Sequence, residues 1–385
     1  MGRSGEYVSN LYGEIAYRSF RPAPLPPEPQ ISLDGDDLRL LLAASRRLQE
    51  LDTMAQFIPN AQLFVSQYVR KEALVSSQIE GTQCTLDDLL DPEVESNADL
   101  DVDDVVCYTK SLWHAIDRLD EMPLCNRLLR EAHAQLLGSG RGSERNPGEF
   151  RRSQNWIGPS GCTLKDARYI PPNVDDMIDA LADLERYINA DPEIDPLIRA
   201  ALIHYQFETI HPFLDGNGRI GRMLILLYLI DQGMLHSPVL YVSYFLKRNQ
   251  IEYYDRMGEV RRSGNYEQWI RFFLEAVKAA AQDALESARA LDHLHRKSWE
   301  IVAAQRAAKS LSSVLEYVEK RPIMSIGRCA EELSLSYNTV ASAVRKLCDL
   351  GILRETTNAS RNRVFAYESY LAVLRRGTEP LGGGR

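Results

Sequence analysis

The chain has 385 residues, 44% hydrophobic and 26% charged, which is enough for two or three domains with cores of their own. Its formal net charge of −9 argues against a nucleic-acid footprint over the whole chain, though not over a part of it. The six cysteines (84, 107, 125, 162, 329 and 348) include no Cys-x-x-Cys pair and read as reduced thiols; with no apolar leader and no stretch long enough to span a bilayer, they point to a cytoplasmic protein without a membrane partner. Residues 1–18 are polar and suggest no element, and Pro-rich 19–30 reads as an extended strap. Leu38, Leu41, Leu42, Leu48 and Leu51 recur near helical spacing from Asp36, until Pro59-Asn60 breaks the pattern. A second helix is predicted over 61–78 and ends at Gly81; Ser76 and Glu80, four apart, share a face, and by themselves describe a helix end with a solvated Glu.

The acidic run 87–104 reads as a solvated loop. Helices are predicted at 105–119 and 126–137. Two β-prone pieces, 155–157 and 167–170, bracket a turn-rich centre and suggest a hairpin, in which Ile157 and Tyr169 either pack the hairpin or meet a ligand. Helices follow at 173–189 and 196–210. His204 has neither a histidine four residues away nor a carboxylate to complete a zinc site, and reads as a core histidine.

Residues 211–222 (His-Pro-Phe-Leu-Asp-Gly-Asn-Gly-Arg-Ile-Gly-Arg) carry the chemistry. Glycines 216 and 218 allow backbone conformations in which successive N–H groups point at one anion. A helix starting just after adds free N–H groups and the positive end of its dipole. Arg219 and Arg222, one turn apart, can reach bound phosphates; Asp215 can hold Mg²⁺ on them; His211 can accept a proton near neutral pH. Cradle, carboxylate and base in one turn describe phosphoryl or nucleotidyl transfer.

Further on, 240–254 precedes a helix over 266–295. Helices are then predicted at 311–320, 325–333 (opened by a Ser325 cap) and 337–350, followed by two strands joined by a polar tip and a disordered tail, 377–385. This block resembles a winged helix. Between 311 and 376 ten Lys/Arg face seven Asp/Glu, and Arg345, Lys346, Arg361 and Arg363 are candidates for phosphate contact, so DNA is a candidate partner.

The stretch His211-x-Phe213-x-Asp215-Gly216-Asn217-Gly218-Arg219-x-x-Arg222 resembles the signature of Fic domains, and every fixed position matches. Ser76-x-x-x-Glu80-Gly81, inside Lys71-Glu-Ala-x-x-Ser-Ser-x-Ile-Glu-Gly-Thr82, is similar to the inhibitory motif of regulated Fic proteins, and the resemblance spans roughly 19–285. It implies a mainly α fold: an N-terminal helical region (1–100), a Fic helical core with a small β-hairpin flap (101–295), and the winged-helix domain (305–376). It implies a protein adenylyltransferase that moves AMP from Mg·ATP to a Ser, Thr or Tyr hydroxyl of a target protein or of itself. His211, Asn217 and Arg219 would be catalytic, with Asp215 on Mg²⁺. The nucleotide would lie against Gly216, Asn217, Gly218, Arg219, Ile220, Gly221, Arg222 and Asn249, with Glu80 nearby, and the flap would align the target. Ser76 and Glu80 would inhibit, Glu80 by pairing with Arg222, and family habit adds a homodimer. AMP removal at the same site, transfer of phosphate or phosphocholine, and a DNA-binding regulator with a nucleotide-sensing site are the alternatives.

Overall fold

The computed structural model describes residues 2–379 apart from 12, 14–15, 59–60, 91–99, 160, 191–192, 306–308 and 358–362. The Pro59-Asn60 break, half of the acidic run (91–99), the Arg361 tip and 380–385 therefore lie outside the described residues.

The chain opens with a hairpin that the sequence reading did not assign: β1 (Gly5–Asn10) pairs antiparallel with β2 (Tyr17–Pro22), Tyr7 opposite Phe20. Its support is tertiary. Phe20 is buried, meets Tyr7 edge-on at 5.2 Å, and donates its N–H to Ile170 O at 3.0 Å. An extended run, 23–34, leads to α1 (Gly35–Phe57), which Asp34 and Asp37 open with a capping box. Ala44, Leu48, Leu51 and Ala55 form its buried stripe; Leu38 and Leu42, placed on that stripe from spacing, face solvent.

Helix α2 (Ala61–Ile79) is buried over most of its second half, polar Ser76, Ser77 and Gln78 included. Short α3 (Leu86–Leu90) precedes α4 (Leu100–Leu119) and α5 (Asn126–Leu136). Part of the acidic run is thus helical, and Asp104 is buried rather than solvated. The flap between α5 and α6 (Val174–Ile188) is held by a single antiparallel bridge, with Ile157 and Tyr169 exchanging bonds of 2.8 and 3.0 Å.

Helices α7 (Pro196–Ile210) and α8 (Asn217–Asp231) are apolar and buried around nearly their whole circumference, as helices at the centre of a core must be. Residues 211–216 are the turn between them, so a rigid scaffold fixes the motif on both sides. After α9 (Ser243–Arg248) and α10 (Gln250–Ser263), α11 (Tyr266–Ala303) runs 38 residues, beyond the predicted end at 295, and packs along α1 and α7.

The C-terminal unit follows as α12 (Lys309–Lys320), β3 (Ile323–Ser325), α13 (Ile326–Glu332), α14 (Tyr337–Asp349), β4 (Arg354–Glu355) and β5 (Val364–Ala366). Its antiparallel sheet has the order β3-β5-β4, and Ser325 caps α13 by accepting the Arg328 N–H. An unpredicted helix, α15 (Glu368–Arg375), leads into a segment that is structured at 377–379, contrary to the expected disordered tail. Thr378 O accepts from Gln78 Nε2 at 3.0 Å, Lys247 Nζ donates to Glu379 O, and Arg375 makes two 2.8 Å bonds to Asp87. This arm ties the end of the chain to the last turn of α2.

Candidate active site

His211 caps α7 in the left-handed region at φ 51, ψ 61, unusual for a residue with a side chain. Buried neighbours hold it there. Arg151 Nε and Asn155 Nδ2 donate to His211 O at 3.0 and 3.2 Å, and Arg151 also bonds Ser153 O and Pro172 O. Burial, with Arg151 nearby, drops the His211 pKa to about 4, so the ring is neutral at neutral pH and able to take a proton.

Below the turn, Phe213 is fully buried and stacks on His133 with centroids 3.7 Å apart. His133 Nδ1 accepts the Gly148 N–H at 2.9 Å, so its Nε2–H donates to Asp215 O at 3.0 Å. Burial lowers its pKa to about 4. Gly216 takes φ 75, a conformation that calls for glycine, with Leu136 and His133 packed close beside it.

Asn217 differs from its expected role on phosphate. Its Oδ1 accepts the Phe213 N–H and its Nδ2 donates to Phe213 O, both at 2.8 Å, so the side chain closes the loop. The Gly216 N–H, expected to face an anion, is taken by Asp215 Oδ1 at 2.6 Å. The first-turn amides of α8 keep the orientation of a helix N-terminus.

The Arg222 guanidinium is buried and engaged with α2: Nε donates to Ser76 Oγ (2.8 Å), and Nη2 to Ser76 O (2.9 Å) and Glu80 Oε1 (2.8 Å). Burial alone would lower its pKa, yet Glu80 and further neighbours hold it above its ordinary value. A Cβ on Gly218 would overlap the Glu80 carboxylate. Glu80 therefore lies over the N-terminus of α8, against a guanidinium, which is where a helix start receives an anion. Arg219 is buried with Nε and Nη1 unpartnered, 3.8 Å from Asp104 and 4.0 Å from Asp215. Asp104, whose carboxyl burial pushes upward, was missed because it lies inside an acidic run.

A cavity of about 640 Å³ opens over this turn, and its walls include Glu80, His211, Gly218, Arg222, Glu208, Ile157, Tyr169, Tyr254 and Tyr7 of the N-terminal hairpin. Tyr169 is buried and bonds Thr209 O at 2.7 Å, so it packs the flap, while Ile157 is partly exposed. Several predicted residues lie elsewhere. Ile220 points into the core. Gly221 gives its carbonyl to His204, and a Cβ there would overlap Glu208. Asn249 bonds Phe245 O and lines a separate cleft along α10. His204 is a satisfied core histidine, bonded to Gly221 O at 2.9 Å and the Tyr253 hydroxyl at 2.8 Å.

Asp215 is the residue suited to a metal. Mg²⁺ keeps several waters and needs one or two carboxylates beside substrate phosphates, and the half-exposed Asp215 carboxylate in the α7–α8 turn fits that demand. Among the described residues no cluster of three potential ligands forms a closed protein cage, and no helix is long and apolar enough to cross a membrane.

Residues 38–117 match the Fic/DOC family N-terminal pattern and residues 123–229 the Fic/DOC family pattern. A protein adenylyltransferase Fic from Culex quinquefasciatus is 30% identical over 167 residues, covering 43% of this chain and 30% of that protein. The protein of the same name from Drosophila melanogaster is 31% identical over 150 residues, covering 38% and 27%. The match thus spans less than a third of either relative. The crystal structure of a Fic family protein from Desulfovibrio desulfuricans G20 superposes with TM-score 0.56 at 18% identity, over 88% of this chain and 98% of that one. A Fic domain containing signaling protein from Bacteroides thetaiotaomicron gives 0.50 at 19%, over 64% and 95%. These two share the fold.

Proposed function

We propose that this chain, which carries the N-terminal region and the Fic domain of the Fic/DOC family, moves AMP from ATP to a Ser, Thr or Tyr hydroxyl of a protein, and that its own Glu80 holds the reaction off. The observation that carries this reading is the Glu80 carboxylate, lodged against Arg222 and Gly218 at the start of α8, in the place of an anionic substrate group.

With Glu80 withdrawn, Arg222 and the first-turn amides of α8 receive the terminal phosphates, and Arg219 turns its open donors to the same chain of phosphates. Neutral His211 takes the proton of the target hydroxyl at Nε2 as that oxygen bonds to the α-phosphorus. The bond from the α-phosphorus to the bridging oxygen breaks, and pyrophosphate leaves. Asp215 would hold Mg²⁺, which when bound offsets charge on the phosphates. Arg151, Asn155 and His133 keep the loop in register.

The test uses α-labelled ATP and Mg²⁺ with wild type, Glu80→Gly and Glu80→Gly/His211→Ala, on the protein itself and in a lysate. Strong label in Glu80→Gly, weak label in wild type and none in the double variant are expected. Failure of Glu80→Gly to label anything overturns the reading.

A second reading concerns the C-terminal unit, taken as a winged helix with α14 as its recognition helix. Tyr337, Asn338, Ser342, Arg345 and Lys346 stand exposed on α14. Arg363 is committed to Glu355 and drops out of the basic set. A duplex bound through α14 is lost steeply with salt, and Arg345→Ala/Lys346→Ala flattens that slope; retention independent of salt contradicts it.

A further inference from the structure

The signature and the inhibitory motif leave a buried acid of the cavity unused. Glu208, three residues before His211 on α7, is 8% exposed and lines the same cavity. Its Oε2 lies 4.0 Å from His211 Nδ1. Both His211 Nδ1 and Glu208 Oε1 are buried without a hydrogen-bond partner. A buried carboxyl with an open oxygen is costly unless something uses it. The chain also keeps room for it: a Cβ at Gly221, a position the signature leaves open, would overlap Glu208 Oε1.

We infer that Glu208 is a positioning residue for the transfer: its carboxylate faces Nδ1 of His211, fixes the ring with Nε2 toward the target hydroxyl, and offsets the imidazolium that forms when the hydroxyl proton arrives. The inference rests on the proposed AMP transfer. The balance is simple. The proton moves from the hydroxyl to Nε2, Nδ1 keeps its own, and Glu208 stays ionised throughout. Without such a counter-charge, a base in this surrounding is weak, because burial and Arg151 oppose a charged ring more than the Glu208 peptide group and Glu80 support it. The groups that bear on Glu208 are His211 on its own helix, Arg222 of α8, Glu80 beyond α2, and Arg261, Tyr253 and Tyr254 of α10. Burial raises the Glu208 carboxyl to about 7, Arg222 and Arg261 oppose that, and Glu80 adds to it. Removal of Glu80 therefore favours the ionised Glu208 that the step needs; because Glu80 also favours a charged His211 ring, its departure leaves that support to Glu208.

The experiment compares Glu80→Gly with Glu80→Gly/Glu208→Gln, which is isosteric. Self-labelling is measured against pH and ATP concentration, and the histidine ring signals are titrated by NMR. Expected are a fall in kcat of about tenfold to a hundredfold with KM for ATP little changed, loss of the rise in rate near pH 7, and a lower His211 titration midpoint in the Gln variant. An unchanged midpoint, or equal kcat with the same pH profile, overturns the role of Glu208. Absence of label in Glu80→Gly itself would instead count against the transfer reading, and the NMR titration would still decide this one.

Discussion

Single residues divide into those that lie together along the chain and those that only the fold assembles. His211, Asp215, Arg219 and Arg222 belong to one twelve-residue stretch, so their grouping in one turn was legible from residue types and spacing. His133 and Arg151 were not. His133 reaches Asp215 across 82 residues and Arg151 reaches His211 across 60, and neither sits in a local pattern that marks it. Asn217 has a part that spacing did not show: its amide closes the loop on the peptide groups of Phe213. Loop support of this kind has a measurable weight. His133→Phe keeps a ring against Phe213 but leaves the Gly148 N–H and the Asp215 carbonyl unpaired, which should cost about 2–3 kcal/mol in denaturant midpoint. Labelling by the Glu80→Gly protein should fall further than that loss of stability explains, because the Asp215 backbone is released. A variant of wild-type stability and rate would show that the stack alone holds the loop.

At the scale of elements, the long periodic helices were readable and the short paired strands were not. Helices α1, α2, α6, α7 and α14 carry enough apolar repeats to be placed within a few residues. The β1–β2 hairpin carries few, and its buried face is made by Tyr169 and Ile170 of the flap, which no local window contains. Helix α2 is where the elements converge. Its Ser76 and the following Glu80 grip Arg222 at the front, while Gln78 is fastened behind. The Gln78 amide donates to Cys84 O at 2.9 Å and Thr378 O at 3.0 Å, and its oxygen accepts from Lys247 Nζ at 2.7 Å. Gln78→Leu fits the space but leaves two carbonyls without the Gln78 amide and the Lys247 ammonium with Glu379 O in place of two acceptors, so a loss of about 2–4 kcal/mol is expected. Amide exchange should quicken at 76–81 and 375–379 and nowhere near β3–β5. Uniform exchange across the chain would mean that the two segments are not coupled.

For the whole molecule, buried titratable groups set how stability follows pH. Burial lowers His204 to about 3 and both His133 and His211 to about 4, so below the ordinary histidine range the unfolded chain binds protons that the folded one refuses. Stability then falls as pH falls. Burial raises Glu72 to about 8 and Glu208 to about 7; there the folded chain holds protons that the unfolded one releases, and stability falls as pH rises. The two sets oppose one another between ordinary carboxylate and histidine pKa values, where the three histidines outweigh the two acids. A maximum of thermal stability near pH 6.5 is expected, with shoulders on either side of about 1.4 kcal/mol per pH unit for each uncompensated proton. A melting temperature that climbs steadily to pH 8.5 would contradict it. The arm at 375–379 has a further consequence, in time rather than in space. Gln78 and Thr378 meet across 300 residues. A ribosome adding ~5–20 residues per second needs roughly 15–60 s to make that much chain. The cavity over the α7–α8 turn and the Glu80 carboxylate in its wall are thus synthesised before the segment that fastens α2 from behind. For the part of that interval after Arg262 has been made, each nascent molecule has every residue that lines the cavity but an α2 that is not yet fastened.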